Sequence, residues 1–323
     1  MDIVREVRDA EERIRPYIRE TYLERSAWLS EPDGANVFFK MENLQHTGSF
    51  KARGAMNKLL SLSADERARG VVTASTGNHG AAVARSCGVL GATCTVFVPD
   101  DASAAKMGVM ERLGATVRTH GHDCVEAEAR ARSYAAEQGL AYVPPYNDPQ
   151  VVGGQGTIAV ELDRQLDQID VVYVSLGGGG LISGIAAYLK SVKSDVRIVG
   201  CSPQNSQVMI ESVKAGKILD LPSLPTLSDG TAGGIEPGSI TFELCCDLVD
   251  EYVTVSEDEI AESLIAFTEA HHMLIEGAAA VSIASYLKTC ERFAGTQANV
   301  VVLLCGANIS LQTFAECIAR TRS

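Results

Sequence analysis

Short apolar runs alternate with longer segments of helical character along most of the chain. Val71–Ser75 is apolar and ends in Thr76-Gly77-Asn78-His79-Gly80, followed by an alanine-rich stretch. Cys94–Pro99 repeats the pattern, with a helix expected around Ala104–Leu113. Ala115–Thr119 reads as a third strand, and Val125–Gln138 as the helix after it. Further on, Val171–Ser175 runs into Gly177-Gly178-Gly179-Gly180 and a helix over Leu181–Lys190, and Arg197–Cys201 and Val300–Leu304 are further buried strands. Uninterrupted apolar strands that alternate with helices predict mostly parallel sheets covered on both faces. Two such blocks, separated near Val143–Asp148, predict two α/β lobes with a site in the cleft between them.

Composition narrows the partners more than the fold. The 323 residues carry a formal charge of -13, with 46% apolar and 21% charged residues. A surface of that sign repels phosphate backbones, so nucleic acid is not an expected partner. The N-terminus, Met1–Glu12, is charged and amphipathic rather than a signal peptide, and no apolar stretch reaches membrane-spanning length. Nine scattered cysteines without a C-x-x-C pair read as reduced, mostly buried thiols of a cytoplasmic protein.

Four segments carry candidate chemistry. In Thr47-Gly48-Ser49-Phe50-Lys51-Ala52-Arg53-Gly54, Thr47 and Ser49 are expected helix caps that place Lys51 in the first turn. Burial and the helix dipole there disfavour an ammonium and free the amine for Schiff-base chemistry, and Phe50 offers a flat apolar surface. Taken alone, this segment reads rather as a capped helix with a solvated lysine. In Ser75-Thr76-Gly77-Asn78-His79-Gly80, a strand-to-helix turn offers backbone donors to an anion. Asn78 is a candidate partner for a phenolic oxygen, and His79 either packs in the first helical turn or takes part directly. Gly177 to Gly180 cost backbone entropy, which marks a place where main chain approaches a ligand, most simply a phosphate. A dinucleotide site needs G-x-G-x-x-G and an acidic residue closing the next strand. Here that strand ends at Cys201-Ser202, and the fingerprint fails. In Cys305-Gly306-Ala307-Asn308, the thiol either faces the cleft or is simply buried.

Together these segments resemble the fold-type II pyridoxal 5'-phosphate (PLP) enzymes, specifically the threonine/serine dehydratase and serine racemase family. The family pattern E-N-x-Q-x-T-G-S-F-K-x-R-G-A is matched from Glu42 to Ala55. The S-x-G-N-H-G loop, Pro144–Asp148, Gly154–Thr157, the glycine run, Ser228-Asp229-Gly230 and the final strand follow in the family's order. The likeness runs from about Ile14 to Asn308. It implies a tryptophan-synthase-beta-like α/β fold with the cofactor between two lobes: a discontinuous large domain, 1–50 with 147–323, and a small domain, 51–146. It further implies that Lys51 holds PLP, Phe50 packs on its ring, Asn78 contacts the ring hydroxyl, Gly177–Gly180 cradle the phosphate and Cys305 meets the ring nitrogen. By the same resemblance Ser75, Thr76, Gly77 and His79 hold the substrate, and Glu276 lies near the ring, unless it is merely a helix-start carboxylate. The implied activity is elimination of water from a small L-β-hydroxy-α-amino acid such as threonine or serine, giving a 2-oxo acid and ammonia, in a homodimer or homotetramer.

Departures from the pattern adjust that reading. Racemases of the family carry a serine at the position of Thr76, so racemisation is not expected to dominate. Metal-dependent members have carboxylates where this chain has Ser202 and Val208, so no divalent ion is expected. His120-Gly121-His122 and His271-His272 read as solvated surface histidines rather than metal ligands. With the sequence ending at Ser323, feedback control through the C-terminal regulatory domain of biosynthetic threonine dehydratases is not expected. Relatives in the same class, dehydratases of hydroxyectoine utilisation (which Gly200–Val213 resembles), of phenylserine or of 3-hydroxyaspartate, are the alternatives to a threonine or serine enzyme.

Overall fold

The computed structural model describes residues 1–30 and 34–321. The described residues include ten strands: β1 (Leu23–Arg25), β2 (Asn36–Lys40), β3 (Val71–Ala74), β4 (Cys94–Val98), β5 (Thr116–Thr119), β6 (Ala141–Tyr142), β7 (Val171–Ser175), β8 (Arg197–Pro203), β9 (Glu251–Val255) and β10 (Asn299–Leu303). They form a six-stranded sheet in the order β1-β2-β10-β7-β8-β9 and a four-stranded sheet in the order β5-β4-β3-β6. Every pairing is parallel except that of the edge strand β1 with β2. The small sheet takes all its strands from 71–142, while the large one combines strands from both sides of that segment.

Side-chain alternation explains why both faces are covered. In the small sheet, Val71, Val96 and Val98 pack with Val83 and Met110 on one face. Their neighbours Val72 and Phe97 point the other way, onto Ala127, Ala131 and Ala135 of the Cys124–Gln138 helix. In the large sheet, all five residues of β7 are buried, and Val172, Tyr173 and Val301 share a core with Ile182, Ile185 and Phe267. A parallel strand buried on both faces has no polar side, hence the continuous apolar runs in the sequence. Met1–Glu12 contributes an amphipathic helix over Ile3–Ile14, with Ile3, Val7, Ala10 and Ile14 buried.

Parallel strands place their carboxyl ends at one edge of each sheet, where ligands bind in open α/β folds. The turns after β3, β7 and β10 therefore emerge together, and all three line one cavity.

Two expectations need correction. Thr47 and Ser49 do not cap the helix that follows. That helix, Lys51–Ser61, starts after Phe50 without any side-chain cap, and neither hydroxyl has a hydrogen-bond partner. The reason lies in the backbone: Thr47 and Gly48 have φ of 61° and 72°, and Ser49 is extended, so the turn carries the hydroxyls away from the helix start. His271 is not a solvated histidine either. Its ring stacks on Phe267 at 4.8 Å and meets the edge of Phe39 at 5.1 Å, and Ser26 Oγ lies 3.4 Å from Nε2. His120, His122 and His272 are exposed.

Candidate active site

The cavity between the sheets has a volume of about 920 Å³ and brings together Phe50, Lys51, Ser75 to His79, Gly177 to Gly180, Glu276 and Cys305. All the site residues expected from the sequence thus converge on one space.

Lys51 enters it from the start of its helix. Its Nζ donates to the carbonyl of Pro145 at 2.8 Å and lies 5.2 Å from the centre of the Phe50 ring. Burial pushes the amine down to about 8, against the pull of nearby Glu276. The same burial raises the Cys305 thiol well above its ordinary range, so this neighbour is neutral near pH 7 and provides no counter-charge.

The start of the lysine helix is fixed from below by a buried ion cluster. Arg53 Nη2 and Nε meet the two oxygens of Glu42 at 2.7 and 2.8 Å, and Nη1 meets Glu161 Oε1 at 2.7 Å. Lys40 Nζ reaches Glu161 Oε2 at 2.6 Å. All four side chains are fully enclosed. Burial opposes ionisation of Glu161, but Arg53 and Lys40 outweigh it and hold that carboxyl down to about 2. The cluster joins the lysine helix to β2 and to the Pro149–Gln165 helix, which limits the freedom of the turn carrying Lys51.

Glycines start two of the helices that point at the cavity. Gly77 precedes the Asn78–Leu90 helix and Gly179 the Gly180–Val192 helix, and neither has a side-chain cap. The first N–H groups of each helix are unsatisfied within the helix, and the dipole adds positive potential there. The glycine run is closely packed from behind. A Cβ on Gly177 would lie 2.8 Å from the Thr231 carbonyl, and one on Gly178 would lie 2.5 Å from the Tyr146 ring. Gly179, at φ 84°, is left-handed. These residues are glycines because any side chain would displace a wall of the cavity.

Glu276 precedes the Gly277–Thr289 helix but does not cap it with its side chain. The carboxylate turns into the cavity and accepts from Asn78 Nδ2 at 2.9 Å on both oxygens and from the Asn308 amide at 3.2 Å. Burial raises it to about 7, although the Asn78 bond opposes the shift. Cys305 Sγ is 3.8 Å from Glu276 Oε1. His79 takes the packing alternative: Nε2 lies 3.0 Å from the Val143 carbonyl, and burial lowers the ring to about 3, so it stays neutral.

Two contributors escaped the sequence reading. Asn308 Nδ2 bridges Asn78 Oδ1 at 2.6 Å and the Thr47 carbonyl at 2.7 Å, so both polar ends of Asn78 are held. Tyr146 backs the glycine run and accepts from the Glu236 amide at 2.9 Å. Asn308 closes the Cys305–Asn308 segment, and Tyr146 lies in Pro144–Asp148. Both segments stood out in the sequence, but neither side chain had a signal of its own. At the position of the metal carboxylates, Ser202 donates to the Leu176 carbonyl at 2.8 Å and Val208 is buried among apolar side chains. Among the described residues no cluster of His, Cys, Asp and Glu is arranged to hold a metal, and no helix is long and apolar enough to cross a membrane. All nine cysteines are free thiols, six of them buried.

The arrangement fits a phosphorylated aldehyde. It offers a buried amine of lowered basicity, a flat apolar side chain beside that amine, and a glycine run at a helix start where any Cβ would collide with the cavity wall. Known proteins agree. The chain is 39% identical over 311 residues to the L-threonine ammonia-lyase of Thermotoga maritima, covering 96% of this chain and 77% of that protein. It is 37% identical to the serine racemase of Arabidopsis thaliana, over 94% of this chain and 92% of the relative. The structure of the processed threonine deaminase isoform 2 from Solanum lycopersicum superimposes with a TM-score of 0.93 at 32% identity, covering 98% of this chain and 93% of that one. Residues 14–306 match the profile of the family described as pyridoxal-phosphate dependent enzyme, and the chain belongs to that family.

Proposed function

We propose that this enzyme removes water and then ammonia from a small L-β-hydroxy-α-amino acid of the threonine or serine type, releasing a 2-oxo acid. The observation that carries the reading is the convergence of Lys51 and two uncapped, glycine-started helices on one cavity. One helix start suits a phosphate and the other a substrate carboxylate, with the amine between them. The identity to threonine ammonia-lyases supports the same reading.

In this reading Lys51 holds the cofactor, Gly177 to Gly180 hold its phosphate, Phe50 packs on its ring, and Asn78, Glu276 and Cys305 surround the ring's polar edge. Bound there, the cofactor supplies an electron sink that acidifies the Cα proton and permits loss of the β-hydroxyl. The backbone donors of Ser75 to Gly77 and the start of the Asn78 helix hold the substrate carboxylate, and His79 supports that turn through Val143. Lys51 Nζ would take the Cα proton and return it to the departing β-hydroxyl, so that water leaves. Its lowered basicity keeps a usable fraction of free amine near neutral pH, as a general base requires. Cys305, kept neutral by burial, would offer the ring's polar edge no negative charge. Thr76, β-branched and stiff, stands where racemases carry serine.

A division into 1–50 with 147–323 and 51–146 accompanies this reading, supported by the membership of the two sheets. So do a homo-oligomeric state and a cytoplasmic location, the latter supported by the unpaired thiols. The test is a panel of L-threonine, L-serine, phenylserine and 3-hydroxyaspartate with 2-oxo acid detection and chiral analysis. The proposal expects 2-oxo acid from threonine or serine to exceed enantiomer formation. Enantiomer formation as the faster reaction, or no 2-oxo acid from any of them, overturns it.

A further inference from the structure

The helix Ile240–Leu248 begins at Ser239, an ordinary N-cap residue, yet the Ser239 side chain makes no capping hydrogen bond. A serine in that position normally accepts from an amide of the first turn, and losing the bond weakens the helix. Here the hydroxyl lies 2.8 Å from Thr241 Oγ1, and Thr241 Oγ1 donates to the carbonyl of Gly178 at 2.6 Å. Thr241 has a single hydroxyl proton, committed to Gly178, so Ser239 is the donor in the first bond. Both side chains are buried, at 2% and 0% exposure. A local rule is broken, and what replaces it is a two-hydroxyl chain ending on the glycine run.

The consequence follows from peptide geometry. Among the described residues the peptide bonds are trans, and in a trans unit the C=O and the following N–H point in opposite directions. Gly178 and Gly179 line the cavity, while Thr241 and Ser239 lie behind them. Drawing the Gly178 carbonyl back onto Thr241 turns the Gly179 N–H forward. Thr241 also fills the space under the run: its Cβ would be 3.0 Å from a Cβ on Gly179. Without the hydroxyl, that peptide is free to rotate, presenting carbonyl oxygen to an anion instead of N–H.

We propose that Thr241, oriented by Ser239, is a positioning residue that sets the direction of the Gly178–Gly179 peptide and thereby the affinity of the cradle for phosphate. The inference rests on the reading that the glycine run holds the cofactor phosphate. Thr241→Val keeps the shape and removes the bond, and Thr241→Ser keeps the bond and removes a methyl group. With the holoenzymes, release of PLP on dialysis is followed by visible absorbance, and the bound phosphate by its ³¹P resonance. Thr241→Val is expected to release PLP roughly 5- to 10-fold faster, the scale of one lost hydrogen bond. It should also shift the ³¹P signal. Thr241→Ser should restore both signals. Enzyme loaded with pyridoxal, which has no phosphate, should lose it equally fast with or without the substitution. Unchanged PLP release in Thr241→Val, equal acceleration with pyridoxal, or failure of Thr241→Ser to rescue overturns the inference. Gly179→Ala, which strains the left-handed residue itself, tests the underlying reading separately. If that variant retains PLP as well as the parent, the run is not the cradle. If it loses PLP while Thr241→Val does not, only the role of Thr241 falls.

Discussion

Replacing the central lysine by methionine in cofactor-free protein should make the fold more stable, not less. The amine titrates near 8 in the folded chain against 10.5 when unperturbed. A folded-state value below the unfolded one means that folding at neutral pH either buries an ammonium or gives up its proton. The penalty is complete below about pH 8 and fades as pH rises toward 10.5. Multiplying the difference by about 1.4 kcal/mol per unit gives roughly 3 kcal/mol at pH 7, shrinking to about 1.4 kcal/mol at pH 9.5. Methionine fills a similar volume without charge but leaves the Pro145 carbonyl unpaired, which costs about 1 kcal/mol at either pH. Lys51→Met should therefore gain about 2 kcal/mol at pH 7 and almost nothing at pH 9.5. Urea denaturation of both proteins, stripped of cofactor, at the two pH values measures this. Equal midpoints at pH 7, or a gain that does not depend on pH, would refute the idea that this amine is held against its preferred charge.

Three other outcomes follow from the same structure. Glu161→Gln leaves Arg53 and Lys40 short of a counter-charge in a sealed site, and should cost about 3 kcal/mol in thermal or urea unfolding; a loss below about 1 kcal/mol would mean that water or a neighbour compensates. Thr76→Ser should raise enantiomer formation relative to 2-oxo acid release, measured by chiral chromatography; an unchanged ratio would show that this hydroxyl does not deliver a proton. Chelators should leave turnover unchanged, because Ser202 is bonded to the Leu176 carbonyl and Val208 is apolar; inhibition reversed by added divalent ion would contradict this.

The legible parts of the fold were those written locally. Continuous apolar runs marked β3, β4, β7 and β10, those of β3, β7 and β10 leading into glycine, because a parallel strand enclosed on both faces tolerates no polar alternation. The expected Val171–Ser175 strand coincides with β7, and the expected Leu181–Lys190 helix lies inside Gly180–Val192. The lysine and glycine segments were legible for a related reason, since close backbone approach leaves a trace in composition. What was not legible depends on distance or on backbone twist. Asn78 meets Glu276 across 198 positions and Asn308 across 230, and nothing near any of the three announces the others. The cap expected of Thr47 and Ser49 failed because a left-handed turn, invisible in residue type at Thr47, redirects both hydroxyls. His271 looked like half of a surface pair, but the aromatic residues around it are Trp28, Phe39 of β2 and Phe267, four positions earlier in its own helix.

The central claim is a covalent link between one ε-amino group and the cofactor. Borohydride reduction of the purified enzyme, followed by proteolysis and mass spectrometry, tests it without reference to any substrate. The account predicts loss of the visible absorbance and a reduced pyridoxyl adduct on Lys51. An adduct on a different lysine, or a protein that carries none, would contradict it.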